Sequence, residues 1–251
     1  MKKNNPQPAY WAVIPAAGVG KRMQAATPKQ YLPLLDKSIL FHSIDLFIKH
    51  PMISGIIVAI SEGDEYWPEV KAHLEKELEQ EHLNQESSKP LLVAPGGKER
   101  SDSVLSALKS LNTRLNSHDW VLVHDAARPC LLASDIDKLI AELSEHAVGG
   151  LLGLPMADTV KLCDKHQQVQ NTIDRSQLWR ALTPQMFRYS LLLQALSHAQ
   201  ENDLGITDES SALELLGYQP QMIEGHNENI KITLPGDLAL AEQFIKNRNN
   251  Y

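Results

Sequence analysis

Three segments of this sequence gather residue types suited to handling phosphate. The first runs Ala16-Ala17-Gly18-Val19-Gly20-Lys21-Arg22-Met23 and continues to Pro28-Lys29-Gln30; Lys21, Arg22 and Lys29 place three cations within nine residues. Gly18 and Gly20 lack side chains, so the backbone there can approach an anion closely. Neither common nucleotide fingerprint fits: GxGxxG needs glycine where Met23 stands, and the Walker loop needs glycine at Pro15 and a hydroxyl residue at Arg22. A polyphosphate-binding loop and a solvated basic turn both agree with these residues. The second segment is His124-Asp125-Ala126-Ala127-Arg128-Pro129. Asp125 ends an apolar run, a place from which one carboxylate suffices for Mg²⁺ when water and phosphate fill the other positions. Arg128 can reach phosphate or simply pair with Asp125. The third is Gly96-Gly97-Lys98-Glu99-Arg100-Ser101-Asp102-Ser103, able to meet a base through its backbone or to cap a helix with Ser101 or Asp102. Asp208-Glu209-Ser210-Ser211 reads as a helix N-cap. Lys231 lies within an apolar run at 230–233, where lysine is depleted, so it is either edge-exposed or aimed at an anion. Asp158, Arg175, Arg180 and Thr183 stand in or beside a polar stretch and, taken singly, read as surface residues.

The elements that must position these residues alternate. Short apolar runs at 10–14, 55–60, 91–94, 120–123 and 149–154 read as buried strands. Between them, helical stripes run through Ile39, Leu40, Ile44, Phe47 and Ile48 behind a Ser38 cap, and through Trp67, Val70, Leu74 and Leu78 within 62–83. Two more comprise Val104, Leu105, Leu108, Leu111 and Leu115, then Ile136, Leu139, Ile140 and Leu143. The polar stretch 157–173 carries weak strand signals at 159–162 and 168–172 and predicts a hairpin leaving the main body. Helices at 189–199 and 208–216, strands at 221–224 and 230–233, and a last helix opened by Pro235 complete the pattern. The expectation is one α/β domain over 1–251: an open, mainly parallel twisted sheet with helices on both faces, Rossmann-like, plus a β-hairpin arm. In such sheets ligands bind beyond the carboxyl ends of the strands, which is where the three segments fall.

Composition narrows the function. The 251 residues hold 24 Lys plus Arg against 31 Asp plus Glu, a net charge of −7, which argues against a general nucleic-acid binder. Cys130 and Cys163 form no CxxC pair, and the ten histidines offer no HExxH spacing, so thiol-zinc and zincin chemistry are out; both cysteines are expected buried and reduced. The run at 9–14 is too short for a secretory h-region, and no stretch is long enough to span a bilayer. The expectation is a soluble, cytoplasmic protein without membrane or nucleic-acid partners.

Taken together the segments resemble the 2-C-methyl-D-erythritol 4-phosphate cytidylyltransferases of the non-mevalonate isoprenoid pathway, from about Trp11 to Phe244. The resemblance is carried by Pro-Ala-Ala-Gly-x-Gly-x-Arg-Met with Pro-Lys-Gln-Tyr (15–31), Gly-Gly-x-x-Arg-x-x-Ser (96–103) and His-Asp-Ala-Ala-Arg-Pro (124–129). It continues in Asp-Thr-Val-Lys (158–161), Leu-Trp-x-Ala-Leu-Thr-Pro-Gln (178–185), Thr-Asp-Glu-Ser-Ser-Ala-Leu-Glu (207–214) and Asn-Ile-Lys-Ile-Thr (229–233). It implies a nucleotidyltransferase joining CTP to methylerythritol 4-phosphate with release of pyrophosphate. It further implies Arg22 and Lys29 as the transition-state pair, and Asp125 as ligand to Mg²⁺ or another divalent cation. Ala16, Ala17, Gly18 and Gly20 would wrap the triphosphate; Gly97, Lys98, Arg100, Ser103 and Ala126 would hold the nucleotide. Thr159, Arg175, Lys231, Arg128 and Thr183 would hold the alcohol phosphate, with Thr159 and Arg175 reaching across a homodimer from an arm. A ribitol 5-phosphate cytidylyltransferase and a CTP-sensing module without turnover are the competing expectations.

Overall fold

The computed structural model describes residues 7–18, 27–84 and 89–248. Its strands are β1 Tyr10–Pro15, β2 Pro33–Leu34, β3 Lys37–Ser38, β4 Gly55–Ile60, β5 Leu91–Pro95, β6 Trp120–Val123, β7 Gly149–Pro155, β8 Val160–Cys163, β9 Val169–Ile173, β10 Trp179–Arg188 and β11 Gln221–Glu224. Its helices are α1 Ile39–Lys49, α2 Trp67–Asn84, α3 Arg100–Ser110, α4 Ala133–Leu143, α5 Tyr189–Glu201, α6 Glu209–Leu215 and α7 Pro235–Arg248. A seven-stranded sheet in the order β11-β7-β10-β6-β1-β4-β5 forms the centre; β10 alone in it runs antiparallel, pairing β6 and β7.

Both faces of this sheet are covered, which explains why the strands read as continuous apolar runs rather than alternating ones. Ala12, Ile14, Ile56, Val58, Trp120 and Leu122 face one side and pack with α1, α2 and α4. Their neighbours Trp11, Val13, Ile57, Ala59, Val121 and Val123 face the other side and pack with α3, α5 and α6. A smaller cluster of Leu34, Ile39, Cys130, Ile232, Ala241 and Ile245 seats α7. The chain leaves β1 toward β4 and β5, then returns past β1 to β6, so the direction of winding reverses between β1 and β6. A crevice opens outside the carboxyl ends at such a reversal. No helix of the described residues is long and apolar enough to cross a membrane.

Several expectations need correction. The stripe reaching Leu115 stops being helical at Ser110: Leu111 and Leu115 are buried but sit in tight turns, with Leu111 N bonding Leu108 O and Arg114 N bonding Leu111 O. Residues 230–233 are not a strand; Ile232 N bonds Ala127 O, so the segment is laid against the loop after β6 rather than added to a sheet. β10 has no counterpart among the sequence expectations. Pro184 lies inside it, and proline within a run argues against a central strand; here it falls where the pairing with β7 shifts register between Ala181 and Gln185. α2 begins at Trp67 rather than near 62, and both arm strands start one residue later than expected. Cys130 is buried as expected, whereas Cys163 is exposed on the arm.

Gly149 opens β7 with φ +124°, and a Cβ there would stand 2.1 Å from the Met186 carbonyl oxygen of β10. Neither partner can yield, because both are backbone in the sheet. Gly149→Ala is therefore expected to lower the unfolding free energy by about 2–4 kcal/mol, measured by urea denaturation; a change under about 0.5 kcal/mol would contradict this packing.

Candidate active site

β1, β5 and β6 end at the same edge of the sheet, and the loops that follow them converge there. Ala16 N bonds Ala59 O, Gly96 N bonds Ile60 O, and His124 N bonds Val13 O, so each loop starts as an extension of the ladder. Gln30, buried, donates from Nε2 to Ala16 O (2.8 Å), and Ser61 Oγ donates to Ala17 O (2.9 Å), holding the first loop from behind. A Cβ on Gly96 would lie 2.2 Å from the Ala17 Cβ, so the first and second loops touch only because that residue is glycine. Between the loops lies an open cleft lined by Ala16, Ala17, Gly18, Lys29, Gly97, Lys98, Arg100, Ser103, Asp125, Ala126 and Lys231, among others.

Asp125 is the centre of the electrostatics. Its Oδ1 accepts from Arg100 Nε at 2.9 Å, and its Oδ2 lies 2.8 Å from Lys231 Nζ and 3.5 Å from Arg128 Nε. Burial alone would raise its pKa, but Arg100, Lys231 and Arg128 outweigh it and hold the carboxyl well below the usual carboxylate range. Arg100 reaches on to Glu209, with Nη1 at 2.5 Å and Nη2 at 3.1 Å from the two carboxylate oxygens. Burial opposes the charge on Arg100, yet Glu209 and Asp125 raise its pKa further. Arg128 donates from Nη1 to Asn229 O at 2.8 Å. Lys29 Nζ donates to Ile232 O at 3.2 Å, which ties the first loop to the segment bearing Lys231.

The backbone of Asp125 is fixed by a relay whose proton positions follow from counting donors and acceptors. His124 is fully buried, and burial pushes its pKa down to about 4, so the ring is neutral near pH 7. Its Nε2 lies 3.0 Å from Arg128 O; a carbonyl only accepts, so Nε2 carries the proton. Nδ1 must then accept, and Thr183 Oγ1, 3.0 Å away, donates to it while accepting from Asp125 N at 3.1 Å. Asn229, buried, donates from Nδ2 to Thr183 O at 2.8 Å. Of these partners the sequence singled out Thr183, as a residue to hold the alcohol phosphate; His124 and Asn229 stood in it only as members of the segments 124–129 and 229–233.

The structure thus brings Ala16, Ala17, Gly18, Lys29, Gly97, Lys98, Arg100, Ser103, Asp125, Ala126 and Lys231 to one cleft. Arg128 sits directly behind it. Thr183 is buried with its hydroxyl engaged by two protein partners. Gly20 and Arg22, with Lys21 and Met23, lie outside the described residues. Thr159 and Arg175 are exposed at the base of the arm, and Arg175 Nη1 donates to Ala157 O; neither lines the cleft of its own chain. The helix after the second loop is capped by Glu99, whose backbone N donates to Asp102 in a reciprocal box, rather than by Ser101 or Asp102 alone. Asp208 caps α6 as expected, accepting from Ser211 N.

For a divalent cation, the donor set here is the Asp125 carboxylate. Among the described residues no three of His, Cys, Asp and Glu gather to hold a metal. The cluster of Arg100, Arg128 and Lys231 against Asp125 and Glu209 carries one positive charge in excess. A divalent ion fits Asp125 only in company with phosphate oxygens, which complete its coordination and offset that charge.

The sequence profile of the 2-C-methyl-D-erythritol 4-phosphate cytidylyltransferase family matches residues 10–247. The enzyme of that name from Pseudomonas putida strain F1 is 48% identical over 237 residues, covering 94% of this chain and 95% of the relative. The Aliivibrio fischeri enzyme is 49% identical over 236 residues, covering 94% and 93%. The crystal structure of the Francisella tularensis enzyme superposes with a TM-score of 0.76 at 34% identity, covering 94% of this chain and 99% of that one.

The neutral, buried His124 makes a testable demand. Its pKa is lowered from 6.5 to about 4, so the unfolded chain takes up the proton first. Stability is full above about pH 6.5 and falls as the pH drops toward 4, by about 3 kcal/mol for a shift of this size. His42 and His50, also lowered by burial, share that slope, and Asp125 contributes only at lower pH. Urea denaturation between pH 7 and 4.5 is expected to show a shallower slope in His124→Gln than in the parent; an equal slope would mean the ring is not held neutral.

Proposed function

We propose a division of labour for this cleft from one premise: the chain belongs to the 2-C-methyl-D-erythritol 4-phosphate cytidylyltransferase family. Its reaction is cytidylyl transfer from CTP. A phosphate oxygen of methylerythritol 4-phosphate attacks the α-phosphorus in line, the bond to the β-phosphate bridging oxygen breaks, and pyrophosphate leaves. Two anions must meet, so catalysis consists of positioning and charge neutralisation. The observation that carries the assignment of roles is the cation-rich cluster around one ionised carboxylate at the meeting point of three loops.

Ala16, Ala17, Gly18 and Gly20 cradle the triphosphate. Arg22 and Lys29 neutralise the charge that develops at the α-phosphate and on the leaving pyrophosphate. Gly97, Lys98 and Ser103 frame the cytosine, where a backbone carbonyl accepting from the exocyclic amine would reject uracil, and Ala126 and Arg100 bound the same nucleotide. Asp125 would hold Mg²⁺ or another divalent cation, which would supply positive charge at the triphosphate. Lys231 and Arg128 meet the phosphate of the alcohol, and Thr183 supports them through its bond to Asp125 N.

The remaining contacts come from a second copy of the chain. The arm pairs Val160 with Ile173 and Leu162 with Asn171, yet its strands are mostly exposed, with Leu162 at 54% and Val169 at 60%. A lone two-stranded hairpin with open apolar side chains is marginal in water; docking on a partner in a homodimer supplies the missing cover. It also carries Thr159 and Arg175 to the partner's cleft. The unpaired cysteines suit a reducing compartment such as the cytoplasm, and the net charge of −7 gives no support to nucleic-acid binding.

Pyrophosphate release from CTP and Mg²⁺ is expected with methylerythritol 4-phosphate and not with ribitol 5-phosphate. Lys29→Ala is expected to lower kcat by about 100-fold or more; ordinary turnover would remove Lys29 from the transition state.

The shared site is tested by mixing. Asp125→Asn and Arg175→Ala are each expected to be impaired, but subunit exchange between them creates dimers with one intact site. Activity should recover to about a quarter of the parent's, the statistical share of such sites. No recovery would place Arg175 in its own chain's service.

A further inference from the structure

Glu209 is an expensive residue for this fold. It is 1% exposed, and burying a carboxylate costs several kcal/mol unless it is well paired. The capping of α6 does not require it: Asp208 is the N-cap and its Oδ1 accepts from Ser211 N at 2.9 Å. Its partner is Arg100, gripped by both carboxylate oxygens. That grip uses the two terminal nitrogens of the guanidinium and leaves the Nε edge turned to Asp125 Oδ1. The main chain beside Glu209 is itself anchored from β10, since Gln185 donates from Nε2 to Asp208 Oδ2 and accepts from Ser210 N, both at 2.9 Å.

We propose that Glu209 is a positioning residue for cytidylyl transfer: it holds the Arg100 guanidinium by its outer fork, so that Arg100 touches Asp125 through one N–H only. A planar guanidinium deprived of Glu209 would turn its fork onto the nearest carboxylate, because bidentate pairing is its preferred geometry. That carboxylate is Asp125, and Arg100 would then compete with Lys231 and Arg128 for Oδ2 as well as holding Oδ1. Glu209 also supplies the second negative charge among Arg100, Arg128 and Lys231, so Asp125 is not over-neutralised. The proposal rests on the transfer reaction assigned above.

The test is a double-mutant cycle on Glu209→Gln and Arg100→Gln, read by pyrophosphate release at saturating CTP and Mg²⁺. Glu209→Gln keeps the shape and removes the charge. It is expected to lower kcat about tenfold or more, with KM for the alcohol phosphate within about twofold of the parent. In the Arg100→Gln background the same change is expected to do nothing further, because the group it aims is gone. Unchanged kcat in Glu209→Gln, a loss shared equally by KM, or losses that multiply in the double variant would each overturn the proposal. Should Glu209→Gln fail to fold, because Arg100 is left half-buried beside a neutral side chain, the doubly neutral variant is compared with Arg100→Gln. Equal kcat supports the proposal, and a further tenfold fall overturns it. A parent protein that releases no pyrophosphate would instead sink the reaction itself, with the cycle left to failing only Glu209's part when the parent turns over.

Discussion

The structure around the cleft is organised by the need to keep one buried carboxylate ionised. Asp125 stands at the end of β6, nearly closed off from water, where burial by itself would favour its neutral form. Arg100, Arg128 and Lys231 reverse that preference, and they come from α3, from the turn after β6 and from the segment before α7. Each of these cations has to be brought in by a different part of the chain, and each is tied to something else as well. Arg100 is held by Glu209, Arg128 by the Asn229 carbonyl, and the Lys231 segment by the Lys29 contact at Ile232. The result is a cation excess held in place by its partners, which is the preorganisation that charge-developing reactions use.

The sheet makes this assembly feasible. Because β1, β5 and β6 run parallel, their carboxyl ends lie on one edge and their loops share one space. The winding reversal between β1 and β6 opens the crevice at the centre of that edge. Close packing then sets the distances: Gly96 lets the second loop rest on Ala17. The antiparallel β10 has a less obvious part. It carries Thr183 to the Asp125 backbone and Gln185 to the start of α6, so one strand fixes both the carboxylate and the element bearing Glu209.

The arm stands apart from this economy. It pairs with itself, leaves apolar side chains in water and carries Thr159 and Arg175 away from the cleft of its own chain. An isolated hairpin of this kind gains little from folding alone, which is the physical ground for reading it as half of an interface.

Much of this was legible in the sequence, and for a local reason. Buried parallel strands must be short unbroken apolar runs, amphipathic helices must repeat every three or four residues, and ligand groups must follow strand ends. The runs at 10–14, 55–60 and 120–123, the Ser38 and Asp208 caps, and the three loops are therefore readable from neighbours along the chain. What the sequence alone determined is accordingly the layered α/β fold and the set of loops where chemistry belongs. β10 was hidden because Pro184 interrupts a strand whose partners are far away along the chain. The segment 230–233 looked like a strand because apolar alternation says nothing about whether an edge is available. Only the tertiary structure decided that Lys231 reaches Asp125, that Glu209 is a buried partner of Arg100 and not a cap, and that Thr183 and His124 form a relay with one allowed direction. Those are contacts between residues 59 to 109 positions apart, and the strength of a charge pair or hydrogen bond depends on burial and distance, neither of which is encoded at any single position.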